Sequence, residues 1–525
     1  MDEQTKQFIH ALEASIRAGG KGDSLEQGSC IFLSVLPKHL VPICRACLAN
    51  GAVFDSAFVS SADSDKKEFN LYYLFQVASI QRMVVVTSRG SAFDALSETV
   101  NAALWDERKI QDLTGLHLAG IPDSRPLIFH AESGFPSSHP IGNMPFKRPK
   151  SEAYPMTGTG EEGEFEVAVG PVHAGIIEPG HFRFHVMGEK INKMEVRMFY
   201  LHRGIEKFAE GKQAEDILPI IEQISGDEAV ASSVAYCQAV EHALGIAVPK
   251  RAESIRAILM ELERIYCHLA DLGGMTLDVG FYLPSSRFAI LREDAMRLNA
   301  AISNSRFLHS QCAMGGVSAD LDETKLGAIA SSLKQMLFTL EKMEHVAFNS
   351  STFLDRIFQA GTVSRGIARD LSLVGPPARA CGIHTDLRCM LPYSAYAQIE
   401  VRESIEKEGG DVLARFKVKL MEINESARLI LSLISHMPQG ALCGKPSAQK
   451  KQHGVAIGVG WVEASRGSCT ILVEISQDRS IKRLAYRSAS FRNWRALEKA
   501  VLGNIVPDFP LINKSFNLSY AGTDM

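Results

Sequence analysis

The two stretches that decide the fold are Gly170-Pro171-Val172-His173 and, a few residues on, Glu178-Pro179-Gly180-His181-Phe182-Arg183. The second stretch places a carboxylate, an imidazole and a guanidinium side by side, at a turn that leads into an apolar strand. This grouping indicates a functional cluster, because a solvated loop does not need all three groups beside such a strand. A Pro-Gly pair is also typical of a simple turn before a strand. The residues alone leave both interpretations open.

The chain that follows this turn predicts a mainly helical domain with strands at its periphery. Apolar residues recur at helical spacing in three long segments, 252–272, 321–347 and 411–435. Short apolar runs predict four strands, at 165–169, 182–187, 454–462 and 470–476.

The chain before the turn divides into two parts. Residues 131–163 predict a linker with little regular structure, because proline at high density interrupts helices and central strands: Pro136, Pro140, Pro145, Pro149 and Pro155. Residues 1–130 predict a small α/β domain, with strands at 69–75 and 83–87 and an amphipathic helix at 92–104. The expected fold class is therefore α+β, with a small α/β domain (1–130), a Pro/Gly-rich linker (131–163) and a mainly helical domain (164–525).

The composition is that of an ordinary globular protein. The 525 residues carry a formal charge of −4, with 46% hydrophobic and 22% charged residues. These values exclude a disordered chain and a protein that binds nucleic acid through bulk positive charge. The ten scattered cysteines indicate a reducing compartment. No run of about 18 apolar residues occurs, so the sequence predicts no transmembrane helix and no secretory signal.

Three motifs have a structural interpretation that outweighs the functional one. Residues 158–163 match the spacing G-x-G-x-x-G, but a proline-rich segment precedes them and a strand follows, whereas a nucleotide site needs a strand before and a helix after. Cys44 and Cys47 form a C-x-x-C pair with no second pair to complete a metal site, which predicts two buried small residues. Glu261 and Arg264 lie one helical turn apart and predict a buried ion pair.

The opening stretches, together with Leu201-His202-Arg203-Gly204-Ile205-Glu206-Lys207, resemble the large subunit of energy-converting nickel–iron hydrogenases, the family of the formate hydrogenlyase large subunit. They are also similar to the 49-kDa quinone-site subunit of complex I. Residues 105–115, Trp105-Asp106-Glu107-Arg108-Lys109-Ile110-Gln111-Asp112-Leu113-Thr114-Gly115, resemble a signature of the 30-kDa subunit of complex I, which formate hydrogenlyase carries fused ahead of its large-subunit domain. Further matches lie at 375–382, 463–467 and 493–494. The resemblance covers nearly the whole chain and implies a 30-kDa-like domain before the linker and a 49-kDa-like domain after it.

The departures from the family pattern concern its metal and quinone sites. Hydrogenases hold nickel and iron with four cysteines, since soft thiolates suit these metals. The resemblance places those four positions at Ser225, Glu228, Ser519 and Gly522, which have no thiolate. It therefore implies degenerate ligand positions around a cavity and no metal bound by this chain. The quinone tyrosine of the complex I subunit falls near Gly226, which has no hydroxyl, so the standard ubiquinone site is also incomplete.

The resemblance also implies catalytic roles. Glu178 matches the glutamate that carries protons from the hydrogenase metal, His181 follows it in the same motif, and Arg466 matches the arginine that overhangs the metal. A carboxylate in an apolar cleft can relay protons, because its pKa is raised there. Four further charged residues match family positions near the site, and we expect them to form a buried charge network: Asp278, Arg379, Asp386 and Arg388.

Three functions are compatible with this resemblance. The first is a peripheral-arm subunit of a membrane-bound, ion-translocating oxidoreductase related to formate hydrogenlyase and complex I. It would pass electrons from iron–sulfur clusters of its partners to a quinone-like or other acceptor, without a nickel–iron centre or any cofactor of its own beyond a possible quinone. The second is a catalytically silent subunit that couples conformational changes. The third, an active hydrogenase, conflicts with the missing thiolates.

The resemblance further implies partners and a location. The expected partners are an iron–sulfur small subunit, a ferredoxin-like subunit and integral membrane ion-translocating subunits, with no nucleic acid. The expected location is the cytoplasmic side of the membrane, where partner subunits would hold the chain peripherally.

Overall fold

The computed structural model describes residues 3–14, 23–63, 67–129, 136–147, 154–174, 177–445 and 454–525. The helices of these residues are α1 (Glu3–Ala14), α2 (Pro37–Ala49), α3 (Leu104–Thr114), α4 (Ile205–Phe208), α5 (Ala214–Ile221), α6 (Ala229–Leu244), α7 (Lys250–Asp278), α8 (Tyr282–Ser303), α9 (Glu323–Phe348), α10 (Ser351–Ile357), α11 (Arg365–Asp370), α12 (Gly375–Ala380), α13 (Leu387–Met390), α14 (Val412–Ser435), α15 (Ala489–Ala500), α16 (Phe509–Phe516) and α17 (Tyr520–Asp524).

The strands are β1 (Asp23–Gln27), β2 (Cys30–Ser34), β3 (Val53–Asp63), β4 (Glu68–Val77), β5 (Arg82–Gly90), β6 (Phe93–Asp94), β7 (Leu118–Ala119), β8 (Phe165–Val169), β9 (His181–Met187), β10 (Lys190–Arg197), β11 (Cys312–Ala313), β12 (Gly316–Val317), β13 (Ala456–Ala464), β14 (Gly467–Ile475) and β15 (Ile481–Arg487). Long helices combined with several small sheets confirm the predicted α+β class.

The first sheet has five strands in the order β1-β2-β5-β4-β3. Strands β2 and β5 pair in parallel, and the other neighbours are antiparallel. Strands β4 and β5 confirm the two strands predicted at 69–75 and 83–87. Their side chains are buried almost throughout, because α2 and α3 pack against the sheet.

The helix predicted at 92–104 is wrong, since the helix in this region begins only at Leu104. The stretch before it contains the short strand β6 and two single 3-10 turns. The carboxylate of Glu107 accepts hydrogen bonds from the backbone N–H groups of Leu96 at 2.6 Å and Ser97 at 3.1 Å. These bonds hold the segment in turns and give its N–H groups partners that a helix would otherwise supply.

The region predicted as a linker contains turns in the parts that the structure describes. Residues 136–147 form turns with one isolated bridge between Ser138 and Pro145. Residues 154–163 form no helix or strand, and β8 follows them. The residues of the G-x-G-x-x-G spacing therefore do not begin a helix, as the structural interpretation predicted. Residues 131–135 and 148–153 of this region lie outside the described residues.

The helical domain is built around α7. With 29 residues, this helix is about 43 Å long at 1.5 Å per residue. It packs against α6, α8, α14 and α16. Apolar side chains at helical spacing form its core-facing side, as the pattern at 252–272 predicted. Helices α9 and α14 likewise confirm the segments predicted at 321–347 and 411–435.

Helix α6 lies directly on the antiparallel sheet β13-β14-β15. Its residues are small and apolar on nearly all sides, which is typical of a helix in the centre of a domain. Gly458 and Gly460 of β13 make this contact possible, since a Cβ on either would lie 1.9 Å from a carbonyl oxygen of α6. Strands β8, β9 and β10 form a separate sheet at the edge of the domain.

Buried ion pairs join the N-terminal domain to the larger one. Arg487 of β15 donates to Asp55 of β3 at 2.7 Å, and both side chains are buried. Lys109 of α3 pairs with Glu206 of α4 at 2.8 Å. The hydroxyl of Tyr72 also donates to a carboxylate of the second domain, that of Glu474. The two domains therefore share a charged and largely dry boundary.

Replacement of Arg487 by Met should lower the free energy of unfolding by about 3–5 kcal/mol, because Asp55 would remain buried without its cation. Urea or thermal unfolding of the full chain measures this change. The matched control is Arg89→Met, which removes an exposed pair with Glu68 and should cost less than about 1 kcal/mol. Equal losses for the two variants would contradict this account of the boundary.

Candidate functional site

A cavity of about 800 Å³ lies between the turn before β9, the segment before α6 and the last two helices. Both apolar and polar side chains line the cavity. The apolar lining residues include Val169, Ile177, Phe182, Phe307, Phe509 and Leu518. The polar lining residues include Glu178, Ser225, Asp227, Asp278, Arg466, Asn513, Lys514, Ser519 and Tyr520. Such a mixed lining is typical of a small-molecule site.

Two of the four degenerate ligand positions, Ser225 and Ser519, line this cavity, and a third, Gly522, contacts them. The hydroxyls of Ser225 and Ser519 lie 2.8 Å apart, although 294 positions separate them in the sequence. The backbone N–H of Gly522 donates to the Ser519 hydroxyl at 2.9 Å, and a Cβ on Gly522 would lie 3.5 Å from the Cβ of Ser225. The structure thus places these three positions in contact with one another.

The hydroxyls form a directed chain of hydrogen bonds. Ser225 donates to a carboxylate oxygen of Asp227 at 2.9 Å, so Ser519 must donate to Ser225. Ser519 in turn accepts from Gly522 and so caps the first turn of α17, a position that favours serine. Each member of such a chain polarises the next, and this chain ends on a carboxylate. It joins the last helix to the segment before α6.

Glu228, the fourth position, points away from the cavity. Its backbone N–H donates to the carbonyl of Ser225 at 3.0 Å and closes the turn before α6. Its carboxylate lies 3.4 Å from a guanidinium nitrogen of Arg466 and accepts from the hydroxyl of Ser465. Burial raises the pKa of Glu228, Arg466 opposes the shift, and Asp227 adds to it. Glu228 therefore does not fill the cavity.

Arg466 and Asp227 both line the cavity and form an ion pair with each other. Its two terminal nitrogens bind both oxygens of Asp227, at 3.1 and 2.6 Å, and its Nε donates to the carbonyl of Asn517. Burial disfavours the charge on Asp227, but Arg466 outweighs it and lowers the pKa of Asp227 below its ordinary value. The sequence interpretation missed Asp227, although it lies between the two positions of the first ligand pair.

Glu178 lies on the cavity wall, where the backbone N–H of Ala521 in α17 donates to it at 3.0 Å. Behind this wall, Asp524 is fully buried and accepts from the backbone N–H of Leu201 at 2.9 Å. Burial raises the pKa of Asp524 to about 7, and the nearby charge of Glu178 adds to the shift. Asp524 can therefore hold a proton close to Glu178.

His181, by contrast, is not among the described residues that line the cavity. Its Nδ1 lies 3.2 Å from the carbonyl oxygen of Gly170, and its Nε2 accepts from Arg183. His173 lines the cavity in its place, with its Nε2 at 2.7 Å from the carbonyl oxygen of Gly180. The two histidines thus hold the turn that carries Glu178. The stretch is therefore a turn before a strand, as one interpretation predicted, and it also carries a carboxylate that lines the cavity, as the other predicted.

A buried charge network lies in the core of the helical domain. Arg388 binds Asp386 at 2.7 Å and Glu261 at 3.0 Å, and Arg379 binds Glu422 and Glu463. The predicted pair of Arg264 with Glu261 belongs to it as well. Three of the four residues expected in such a network are therefore found there. Asp278, the fourth, lines the cavity instead.

The residues at the four ligand positions do not match a thiolate-bound metal centre. Two are hydroxyls bound to each other, one is a carboxylate that faces an arginine, and one has no side chain. Soft metals such as nickel favour sulfur ligands, which this group does not offer. Among the described residues, no group of three or more His, Cys, Asp or Glu side chains is arranged to hold a metal ion.

Three family models match separate parts of the chain. Residues 33–147 match the family described as respiratory-chain NADH dehydrogenase, 30 Kd subunit. Residues 278–455 match the 49 Kd subunit of the same complex, and residues 203–272 match nickel-dependent hydrogenase.

Curated relatives extend the match over most of the chain. Formate hydrogenlyase subunit 5 of Escherichia coli is 30% identical over 88% of this chain and 83% of its own length. Hydrogenase-4 component G of the same organism is 31% identical, over 87% and 81%. The chain belongs to this family of hydrogenase and complex I subunits. The NADH-quinone oxidoreductase C/D protein of Bacteroides fragilis is 27% identical over 87% of the chain and 90% of its own length.

Several relatives are named as subunits of respiratory or hydrogenase complexes, among them the alpha subunit of a membrane-bound hydrogenase of Pyrococcus furiosus, which is 30% identical over 68% of this chain and 87% of its own length. A chain of an archaeal membrane-bound sulfane sulfur reductase shares the fold, with a TM-score of 0.64 and 24% identity over 70% of this chain and 100% of that chain. Among the described residues, no helix is long and apolar enough to cross a membrane.

Replacement of Asp524 by Asn should make stability less dependent on pH. The folded state holds a proton on Asp524 up to a pKa of about 7, whereas the unfolded chain releases it near pH 4. Wild-type stability therefore falls as the pH rises from 4 to 7, by at most about 4 kcal/mol from this group, and the variant should not show that part of the loss. Denaturant unfolding at pH 5 and 7.5 measures the difference. The exposed control Asp355→Asn should follow the wild type, and identical pH profiles for all three proteins would contradict the prediction.

Proposed function

We propose that this chain is the peripheral-arm subunit that passes electrons from iron–sulfur clusters of its partners to a small acceptor, without a nickel–iron centre. The cavity carries this proposal. It keeps about 800 Å³ of space, and Glu178, Ser225 and Arg466 line it, while a hydrogen bond between two serines joins two of the former ligand positions. The cavity is therefore open although the cysteine thiolates that the hydrogenase resemblance would place there are absent.

The charges in the cavity favour a neutral acceptor. Three carboxylates line it, those of Glu178, Asp227 and Asp278, against the two cations Arg466 and Lys514. The donors of Arg466 already bind two carboxylates and a backbone carbonyl, so few remain for an anion. An anionic acceptor would meet an excess of negative charge, whereas a quinone-like molecule has no charge and offers an apolar body to the apolar wall.

Each predicted catalytic residue has a distinct role in this proposal. Glu178 lies at the cavity and supplies protons to the reduced acceptor, with Asp524 as a second proton-holding group behind it. Arg466 fixes Asp227 and, through it, the hydroxyl of Ser225. His181 positions the turn that carries Glu178.

The proposal includes the partners and the location. An iron–sulfur small subunit and a ferredoxin-like subunit would deliver electrons, and integral membrane subunits would translocate ions. The chain would lie on the cytoplasmic side of the membrane, held by those partners. The curated relatives support this arrangement, since they are named as components of formate hydrogenlyase, hydrogenase-4 and NADH-quinone oxidoreductase.

A catalytically silent coupling subunit is the alternative, and it would have a cavity closed by side chains such as Glu228. In the structure Glu228 turns toward Arg466. Gly226 faces open space, since no neighbouring atom lies within 4 Å of the place that a Cβ would occupy there. This openness favours the catalytic function.

Replacement of Glu178 by Gln in the intact complex should slow reduction of a soluble quinone analogue about 100-fold, because the amide cannot carry a proton. The amide oxygen can still accept from Ala521, so assembly should be unchanged. Stopped-flow reduction after the clusters are loaded with electrons measures the rate. The control is Glu166→Gln on β8, which should keep the wild-type rate.

Gly226→Leu provides the complementary change, since it fills the cavity without touching Glu178. Loss of reduction in this variant, with normal assembly, would support chemistry in the cavity. Wild-type rates in both the Glu178 and the Gly226 variants would instead support the silent subunit.

Elemental analysis of the purified complex should find iron from the partner clusters and no stoichiometric nickel per copy of this chain. The reason is that the four ligand positions supply no thiolate. One nickel per chain would overturn the proposal and would indicate that the chain is an active hydrogenase.

A further inference from the structure

Lys514 is a cation of the cavity lining whose hydrogen-bond donors are unused. It lies in α16, and in the part of the chain that the structure describes its ammonium group forms no hydrogen bond and no ion pair. The side chain is only partly buried, and its nitrogen is not enclosed by protein atoms. The three N–H donors of the ammonium group are therefore available to a molecule bound in the cavity.

The second cation of the lining, Arg466, differs in this respect. Its guanidinium group binds both oxygens of Asp227, lies 3.4 Å from Glu228 and donates to the carbonyl of Asn517. These contacts use the donors that face its neighbours. Lys514 is thus the cation of the two that can respond to a new charge in the cavity.

Gly274 of α7 leaves the space in which the stem of Lys514 lies. A Cβ on Gly274 would be 3.1, 2.9 and 3.2 Å from Cγ, Cδ and Cε of the lysine, so a larger residue would displace the stem. Asp278 lies four residues further along α7, on the same face of the helix, and lines the cavity. Burial raises the pKa of Asp278, and the charge of Lys514 opposes this shift. The ammonium group therefore lies toward the end of α7 that borders the cavity.

The packing of α16 on α7 does not require this charge. Only the carbon atoms of the stem contact Gly274, and a methionine side chain offers almost the same length. The C-terminal end of α7 attracts a positive charge, which helps to orient the ammonium group without using its hydrogen bonds. A partly buried cation with no partner is therefore better explained by a molecule that binds beside it than by the contact between the two helices.

We propose that Lys514 donates a hydrogen bond to an oxygen atom of the acceptor and supplies the positive charge that compensates the incoming electrons. The inference deepens the proposed function, on which it rests, because it names the residue that selects an acceptor with a reducible carbonyl oxygen. An oxidised quinone is neutral, so it can enter a cavity with three carboxylates, and it becomes negative only as it is reduced.

The reduction adds two electrons and two protons to the quinone. The electrons come from the iron–sulfur clusters of the partners, and each of the two oxygens forms one O–H bond. An oxygen that has gained electron density before its proton arrives is stabilised by an ammonium group already held in place by its stem. Lys514 keeps its own proton in this step, and the protons of the product are supplied through Glu178.

Lys514→Met in the intact complex tests the proposal, since it keeps the stem on Gly274 and removes the charge. Binding of an oxidised, soluble quinone analogue, measured by calorimetry, should weaken about tenfold, as expected for the loss of one hydrogen bond from a charged donor. The rate at saturating analogue should fall further, by about 100-fold, because the ammonium group stabilises the reduced oxygen more than the oxidised one. The matched control is Lys334→Met, at an exposed lysine of α9, which should behave as the wild type does.

Gly274→Ala is a second variant that leaves the lysine in the chain and displaces its stem. Alanine favours a helix more than glycine does, so the unfolding temperature should stay the same or rise. Binding of the analogue should nevertheless weaken, because the ammonium group moves with the stem. A loss of affinity without a loss of stability would not be expected from a purely structural contact.

The outcomes separate this inference from the proposed function. If Lys514→Met binds and reduces the analogue as the wild type does, the role of Lys514 is overturned while the proposed function stands. If the variant binds more weakly but the wild type transfers no electrons to the analogue, the proposed function fails while the hydrogen bond is supported. Failure of the wild type to bind the analogue overturns both. Where Lys514→Met does not fold, wild-type affinity in the Gly274→Ala variant overturns the inference instead.

Discussion

The bidentate ion pair between Arg466 and Asp227 is the interaction on which the candidate site depends. Arg466 lies in the turn between β13 and β14, and Asp227 lies just before α6. The same guanidinium binds the carbonyl of Asn517, between α16 and α17. One buried cation therefore joins three segments that are far apart in the sequence. Removal of Asp227 would leave the buried guanidinium of Arg466 with Glu228 as its remaining carboxylate, which is costlier than loss of an exposed pair.

Ser225 and Ser519 add further links between the same segments, at positions where the family resemblance expects metal ligands. A metal cluster ties its ligands together through short bonds of fixed geometry, whereas here the tie is a chain of hydrogen bonds from Gly522 through Ser519 and Ser225 to Asp227. Each such bond contributes only about 1 kcal/mol on balance, so the segments are joined more weakly. The aromatic packing of α17 against α15 and β9 supplies the rest of the connection.

Much of this could be predicted from the sequence, because regular spacing and motifs are local signals. The long helices followed from apolar periodicity, and the convergence of Ser225 with Ser519 followed from the resemblance. The helix at 92–104 was predicted wrongly because Glu107 supplies the N–H partners from outside the segment. Asp227 escaped notice for a related reason. Whether a carboxylate meets a cation depends on contacts between distant segments, which no local pattern records.

The close contact of Gly458 and Gly460 with α6 has a mechanical consequence. Since no side chain separates β13 from the helix backbone, the two elements have no room to slide and move as one rigid body. A displacement of β13 would therefore carry α6 with it, together with the turn 225–227 that leads into the helix. Because that turn holds the Ser225 hydroxyl 2.8 Å from Ser519, a mechanical change in the sheet would reach the cavity through the backbone of α6.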